Sequence, residues 1–280
     1  MSPLEIPIVF RSGSETLIGI LHRPETVTNR GVVIVVGGPQ YRVGSHRQFV
    51  HLARSLAKAG VPVFRFDYQG MGDATGEYFG FENIDDDINA ALNTFCSEMP
   101  DIEQIVLWGL CDGASAIAMY RDPHIRVCGM VLINPWVRSE QGLAKARVNT
   151  YYWRRLGTLE FWRRLFSGAA DIRKMSREFF LTMTSAIRLR DKSVNSELRF
   201  QERMAVGLKT FGGRLLIIIS GQDITAAEFE SYRRSSRRWK DSLSRCTLTV
   251  KKIDDADHTF SSHKFREMVA NITIEWVTSP

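Results

Sequence analysis

Aliphatic and polar positions alternate along this chain in short blocks. Ile6 to His22 reads as two strands around the polar turn Ser12-Gly13-Ser14. Gly31 to Val36 is an unbroken Val/Ile run, the pattern of a strand buried on both faces. From His46 to Ala59 the apolar residues Phe49, Leu52 and Leu56 recur at helical spacing, and Gly60 supplies a stop. The alternation continues with a strand over Val61 to Phe66, a helix over Ile84 to Phe95, a strand over Ile105 to Trp108, a helix over Asp112 to Tyr120 and a strand over Val127 to Ile133. It resumes late, as strand Leu215 to Ile219, helix Ala226 to Leu243, strand Leu248 to Ile253 and helix Phe265 to Val277. Strands and helices in this order predict βαβ units, hence an α/β fold whose mostly parallel central sheet carries helices on both faces.

Between Pro135 and Gly213 the alternation stops, and the sequence becomes helix-like, aromatic and basic. The expected organisation is a core of residues 1–135 and 213–280, with residues 136–212 inserted as a helical cap. Tyr152, Leu156, Leu159, Trp162 and Phe166 share one helical face, which suits a lid packed on the core.

The chain has 280 residues, 44% of them apolar and 24% charged, the balance of a globular protein. Its net charge is +6, and the span Arg138 to Arg177 alone holds ten basic and three acidic residues. That charge would attract an anionic small molecule. No nucleic-acid-binding motif accompanies it. Arg154, Arg155, Arg163 and Arg164 point in different directions round their helix, so contact with a membrane surface is not favoured. The aliphatic runs are strand-sized, far short of the roughly 20 residues of a membrane span. The N-terminus lacks the basic and apolar regions of a signal peptide. Cys96, Cys111, Cys128 and Cys246 show no CxxC spacing. The expectation is a cytoplasmic protein with free thiols and neither a metal nor a cofactor.

The sharpest chemical signal is Gly109-Leu110-Cys111-Asp112-Gly113, at the junction of a strand and a helix. This is G-x-C-x-G, the cysteine form of the nucleophile elbow. The two glycines leave room for the tight turn, and the helix N-terminus beyond favours a thiolate. A buried, inert cysteine is the plainer alternative. A thiol nucleophile needs a base, and the base an orienting acid, in the chain order nucleophile, acid, histidine. His258 follows the last strand and Asp223 the one before it. Read singly, His258 is a surface-loop residue and Asp223 a helix N-cap; together with Cys111 they make a triad. Asp257 is a fallback acid. Oxyanion donors are expected from the backbone N–H of Asp112 and from the loop Gly37-Gly38-Pro39-Gln40, where Pro39 has no N–H. Gly38 is the first choice there and Gln40 the second.

Over its full length the chain resembles the α/β-hydrolases, and closer still the exosortase A system-associated hydrolases. The resemblance is carried by Val35-Val36-Gly37-Gly38-Pro39-Gln40-Tyr41-Arg42-Val43-Gly44-Ser45-His46-Arg47, by Phe66-Asp67-Tyr68-Gln69-Gly70-Met71-Gly72-Asp73, by the elbow and by Ala256-Asp257-His258-Thr259-Phe260. It implies an α/β-hydrolase fold and an association with bacterial exopolysaccharide and protein-sorting systems. The chain departs from typical serine hydrolases in its elbow cysteine, as in dienelactone hydrolase-like enzymes. Val36-Gly37 stands where His-Gly is usual, and Ala74 where serine is usual. The expected function is hydrolysis of a small ester or thioester through an acyl-enzyme on Cys111. Acyl transfer to another acceptor, and a non-catalytic ligand-binding protein on the same scaffold, are the alternatives.

Overall fold

A computed structural model describes residues 3–38, 40–121, 124–137 and 199–279. Eight strands form one sheet: β1 Leu4–Ser12, β2 Glu15–Arg23, β3 Arg30–Val35, β4 Val63–Asp67, β5 Gln104–Leu110, β6 Val127–Ile133, β7 Arg214–Ser220 and β8 Thr247–Ile253. Their order is β1-β2-β4-β3-β5-β6-β7-β8. The pairs β1/β2 and β2/β4 are antiparallel, and every pair from β4/β3 onward is parallel.

The described helices are α1 Gln48–Lys58, α2 Asp85–Glu98, α3 Asp112–Met119, α4 Phe200–Phe211, α5 Ile224–Ser235, α6 Arg237–Leu243 and α7 His263–Thr278. The crossover through α1 runs outward from β3 to β4, whereas those through α2 and α3 run the opposite way along the sheet. Right-handed crossovers therefore put α1 on one face and α2 and α3 on the other. Helix α7 packs on α1, and α4 packs on α3. The central strands are covered on both faces: Val32 to Val35, Ile105 to Leu110 and Leu215 to Ile219 are buried. This is the α/β arrangement, a mostly parallel sheet with helices on both faces, anticipated from the alternation of aliphatic blocks.

Two details differ from the pattern read along the chain. The helix expected over Ala226 to Leu243 is two helices, broken at Ser236. The Ser236 hydroxyl caps α6 by accepting from Trp239 N–H at 3.4 Å. The bend turns Trp239 inward, where it is fully buried and donates to the Gln201 carbonyl at 3.0 Å. Strand β8 is a sheet edge, not a buried strand, so Leu248 and Val250 stay exposed. Residues 138–198 of the expected cap, 136–212, lie outside the described residues. Its last part is α4, whose Met204, Ala205 and Leu208 are buried in the core. Among the described residues no helix is long and apolar enough to cross a membrane.

Candidate active site

Parallel strands deliver their C-terminal loops to one edge of the sheet, and ligands of such sheets bind there. Cys111 occupies the turn between β5 and α3 with φ 59° and ψ −124°, a conformation L-residues rarely adopt. Strain of this kind costs about 1–3 kcal/mol and persists only where the surroundings over-determine it. Here they do. Cys111 N–H donates to Ile133 O at 2.9 Å, and its carbonyl accepts from Ser115 N–H at 3.1 Å and Trp136 N–H at 3.2 Å. The flanking glycines are required by contact as well as by the turn. A Cβ on Gly113 would lie 2.6 Å from Val35 O, and one on Gly109 would lie 2.7 Å from the Gly113 carbonyl carbon.

The loop after β3 presses against this elbow. A Cβ on Gly37 would come within 2.2 Å of Leu110 O and 2.5 Å of Asp112 Oδ1. Gly38, at φ 69°, donates its N–H to the Asp112 carboxylate. Gly113 N–H donates to the same Oδ1 at 3.1 Å. The Asp112 side chain therefore holds the N–H expected to serve as the first oxyanion donor. The N–H of Gln40, the second choice, donates to Gly38 O at 2.7 Å, inside the loop's own turn. Its side-chain Oε1 accepts from Ser45 N–H at 2.9 Å. The loop is stapled to the end of β4 by buried Asp67, which binds the Arg42 guanidinium and accepts from Asp73 N–H at 3.1 Å.

On the other side of the elbow, the loops after β7 and β8 are stitched together. Gly221 N–H donates to Ile253 O at 2.8 Å and Gln222 N–H to Ala256 O at 2.9 Å. This brings Asp223 beside His258, with Asp223 Oδ2 at 2.7 Å from His258 Nδ1. Asp223 also caps α5, accepting from Thr225 N–H at 3.1 Å and Ala226 N–H at 3.0 Å. The two roles weighed against each other in the sequence coexist in one carboxylate. Asp257 turns away: its carboxylate accepts from Ser261 N–H at 2.9 Å and from the Ser261 hydroxyl.

Burial of His258 alone would lower its pKa. Hydrogen bonding to Asp223 and Cys111, and the charges of both, overcome that and push it up to about 10. The imidazole thus favours its protonated form beside the thiol. Asp112 shows the reverse contest. Burial pushes its carboxyl up, opposed by the N–H groups of Gly38, Asp112 itself and Gly113 and by His258, and burial prevails. Burial also raises the thiols of Cys96, Cys128 and Cys246. All four cysteines are free.

The Hydrolase_4 family model, described as serine aminopeptidase S33, matches residues 28–179, more than half of the chain. The chain belongs to this family of α/β-hydrolases. The matched span of the hydrolase includes Cys111 and ends before Asp223 and His258. No curated protein matches it. Among solved structures, it is similar to the esterase Pf2001 of Pyrococcus furiosus, with TM-score 0.64 and 16% identity over 98% of this chain and 92% of that one. It is also similar to a dienelactone hydrolase of Anabaena variabilis, with TM-score 0.61 and 15% identity over 99% and 97% of the two chains. A proline iminopeptidase of Mycobacterium smegmatis gives TM-score 0.60 and 13% identity, covering 97% of each chain. At these identities the likeness is one of fold.

Reading along the hydrolase sequence does not single out Asn134, Ser220 or Tyr68. Asn134 is fully buried. Its amide donates to the Ser220 hydroxyl at 2.7 Å and to the His258 carbonyl at 3.0 Å, and its oxygen accepts from Ser220 N–H at 2.9 Å. Asn134 thereby ties the ends of β6 and β7 to the His258 loop. The available signal was a lone amide directly after Val131-Leu132-Ile133, where a buried strand ends. Among the described residues no group of three or more His, Cys, Asp or Glu side chains is arranged to hold a metal.

Proposed function

We propose that this hydrolase cleaves a small ester or thioester through a Cys111-His258-Asp223 triad. The observation that carries the reading is one contact beside a strained elbow: Asp223 Oδ2 lies 2.7 Å from His258 Nδ1, and the loop that carries His258 is tied to the end of β6 next to Cys111 by Asn134. Asp223 orients the imidazole and stabilises its charge. The Cys111 thiol passes its proton to His258, its sulfur attacks the acyl carbonyl carbon, and the C=O electron pair moves onto oxygen. N–H groups of Gly38 and Asp112 receive that oxyanion. As the carbonyl re-forms, the bond to the alcohol or thiol breaks, and His258 gives the leaving group its proton. Water then loses a proton to His258, attacks the thioester carbon and releases the carboxylic acid and the Cys111 thiol. The excess of basic residues between Arg138 and Arg177 favours an anionic substrate. The motifs shared with exosortase A system-associated hydrolases support a place beside bacterial exopolysaccharide systems, in the cytoplasm.

The carboxylate on Gly38 N–H favours one rival, a scaffold that captures its ligand without turnover. Turnover of p-nitrophenyl acetate and of acetyl thioesters separates the two. The expected result is a covalent acetyl adduct on Cys111 by intact-mass measurement, and a rate lowered about a hundredfold or more in His258→Ala. No adduct, or equal rates in wild type, Cys111→Ala and His258→Ala, overturns the triad.

A further inference from the structure

Helix α7 packs on α1, yet the two do not close completely. A cavity of about 120 Å³ lies between their first turns. Its walls include Gln48, His51 and Ser55 of α1 and His263, Arg266 and Ala270 of α7. Within each set the positions are three or four residues apart, so each set shares one helix face. The stripe on α1 is polar although it faces a neighbouring helix, where an apolar stripe is usual. Trp108 and Phe260 also line the cavity and are each 2% exposed, whereas the side chains of His263 and Glu267 are 78% and 64% exposed. The cavity therefore runs from an open mouth down to an aromatic floor.

Two features of its walls are unfavourable while the space is empty. Gln48 is 7% exposed, and its Nε2 makes no hydrogen bond among the described residues. A buried amide N–H without an acceptor is uncommon and destabilising. The Trp108 indole N–H, by contrast, has the Thr273 hydroxyl at 3.4 Å. Phe260 lines the cavity from a left-handed backbone, with φ 52°. For a bulky residue that is an outlier, of the kind that clusters at ligand sites.

The mouth is cationic. His51 lies in the field of Arg266, Arg47, Arg54 and His263, and burial together with these positive charges lowers its pKa. Glu267, the one carboxylate among the described lining residues, is 3.3 Å from His263 Nδ1. Arg266 donates from Nη1 to the Ser261 carbonyl, one of the five N–H donors of a guanidinium. An apolar cavity of about 150 Å³ holds benzene. The space here thus suits one ring or a short branched chain, with a charged group toward the mouth.

We propose that the cavity between α1 and α7 binds a small apolar monocarboxylate, its ring or branched chain against Trp108 and Phe260 and its carboxylate among Gln48, His51 and Arg266. Binding is non-covalent. Cys111, Asp223 and His258 do not line the cavity, so the site stands apart from the triad and does not rest on it. Its floor nevertheless borders both catalytic elements: Trp108 precedes Cys111 by three residues, and Phe260 follows His258 by two.

Benzoate is the probe, and benzamide its uncharged counterpart. Titration calorimetry on wild type should show saturable benzoate binding with Kd on the order of 1 mM, and weaker binding of benzamide. Benzoate ring protons should give NOEs to the Trp108 indole and the Phe260 ring. Ala270→Leu fills the cavity, and should abolish binding without lowering the melting temperature. Should that variant not fold, Ser55→Leu fills the same space from α1. Gln48→Leu should raise the melting temperature by removing the unpaired amide, and weaken benzoate about tenfold. Arg266→Gln should weaken benzoate about tenfold as well and erase its advantage over benzamide. No saturable binding up to about 10 mM benzoate, tenfold above that Kd, overturns the site. So does unchanged affinity in the cavity-filling variant, or equal affinity of wild type for benzoate and benzamide. Loss of binding after iodoacetamide alkylation of Cys111 would put the ligand at the catalytic edge, and overturns it too. None of these outcomes bears on the triad.

Discussion

Cys111 is held by neighbours that tolerate almost no added volume. The atoms a Gly113 side chain would strike are the Val35 and Val36 backbone, which cannot rotate aside. Gly113→Ala should therefore destabilise the fold by about 1–3 kcal/mol, the usual cost of overpacking. Urea unfolding would measure it, and an unchanged midpoint would refute the contact argument. Gly129→Ala is the useful comparison, because its Cβ would meet the Trp276 ring, a side chain at 2.9 Å and not a main chain. A smaller loss is expected there. The elbow was legible in the sequence because its glycines sit at fixed offsets from Cys111. The direction of the Asp112 side chain was not, because a loop more than seventy residues away decides it.

Asp223 belongs to two elements at once, the first turn of α5 and the loop facing His258. Asparagine keeps an acceptor for the helix N–H groups and loses the negative charge; alanine loses both. Asp223→Asn should thus keep the cap and lose only the stabilisation that the charge lends to protonated His258, while Asp223→Ala loses a further ~1 kcal/mol of capping. Both should lower ester turnover about a hundredfold or more if His258 is the base. Paired melting and kinetic assays check this, and full activity in Asp223→Asn would refute the charge's role. The same scale shows where chain-local reading stops. Ser235-Ser236 gave no strong break signal within a helical run, yet burying Trp239 demands a bend there. Leu248 and Val250 look like any core strand, but β8 has no neighbour on its outer side.

Across the molecule, protonation of His258 links the site to stability. Its folded pKa of about 10 exceeds the ordinary 6.5, so the folded state binds this proton more tightly than the unfolded chain. The stabilisation is complete below about pH 6.5 and is lost as pH rises through about 10. The melting-temperature gap between wild type and His258→Gln should narrow over that window. A gap that widens with pH would contradict the assignment. In the same site, Cys111 should alkylate faster than Cys96, Cys128 and Cys246, whose thiols burial holds back.

What the sequence determined by itself was the layered α/β architecture and the identity of Cys111, Asp223 and His258 as candidates. Aliphatic runs, stop signals and strand-end positions are local properties, and a parallel sheet sends its strand ends to one edge whatever the details. Only the tertiary structure decided which groups there are already engaged. It turned Gln40 N–H into its own turn, set Asp112 on Gly38, sent Asp257 to Ser261 and tied Asn134 to the His258 loop. Those choices depend on hydrogen-bond directions between segments far apart in the chain, and residue type and spacing carry no record of direction.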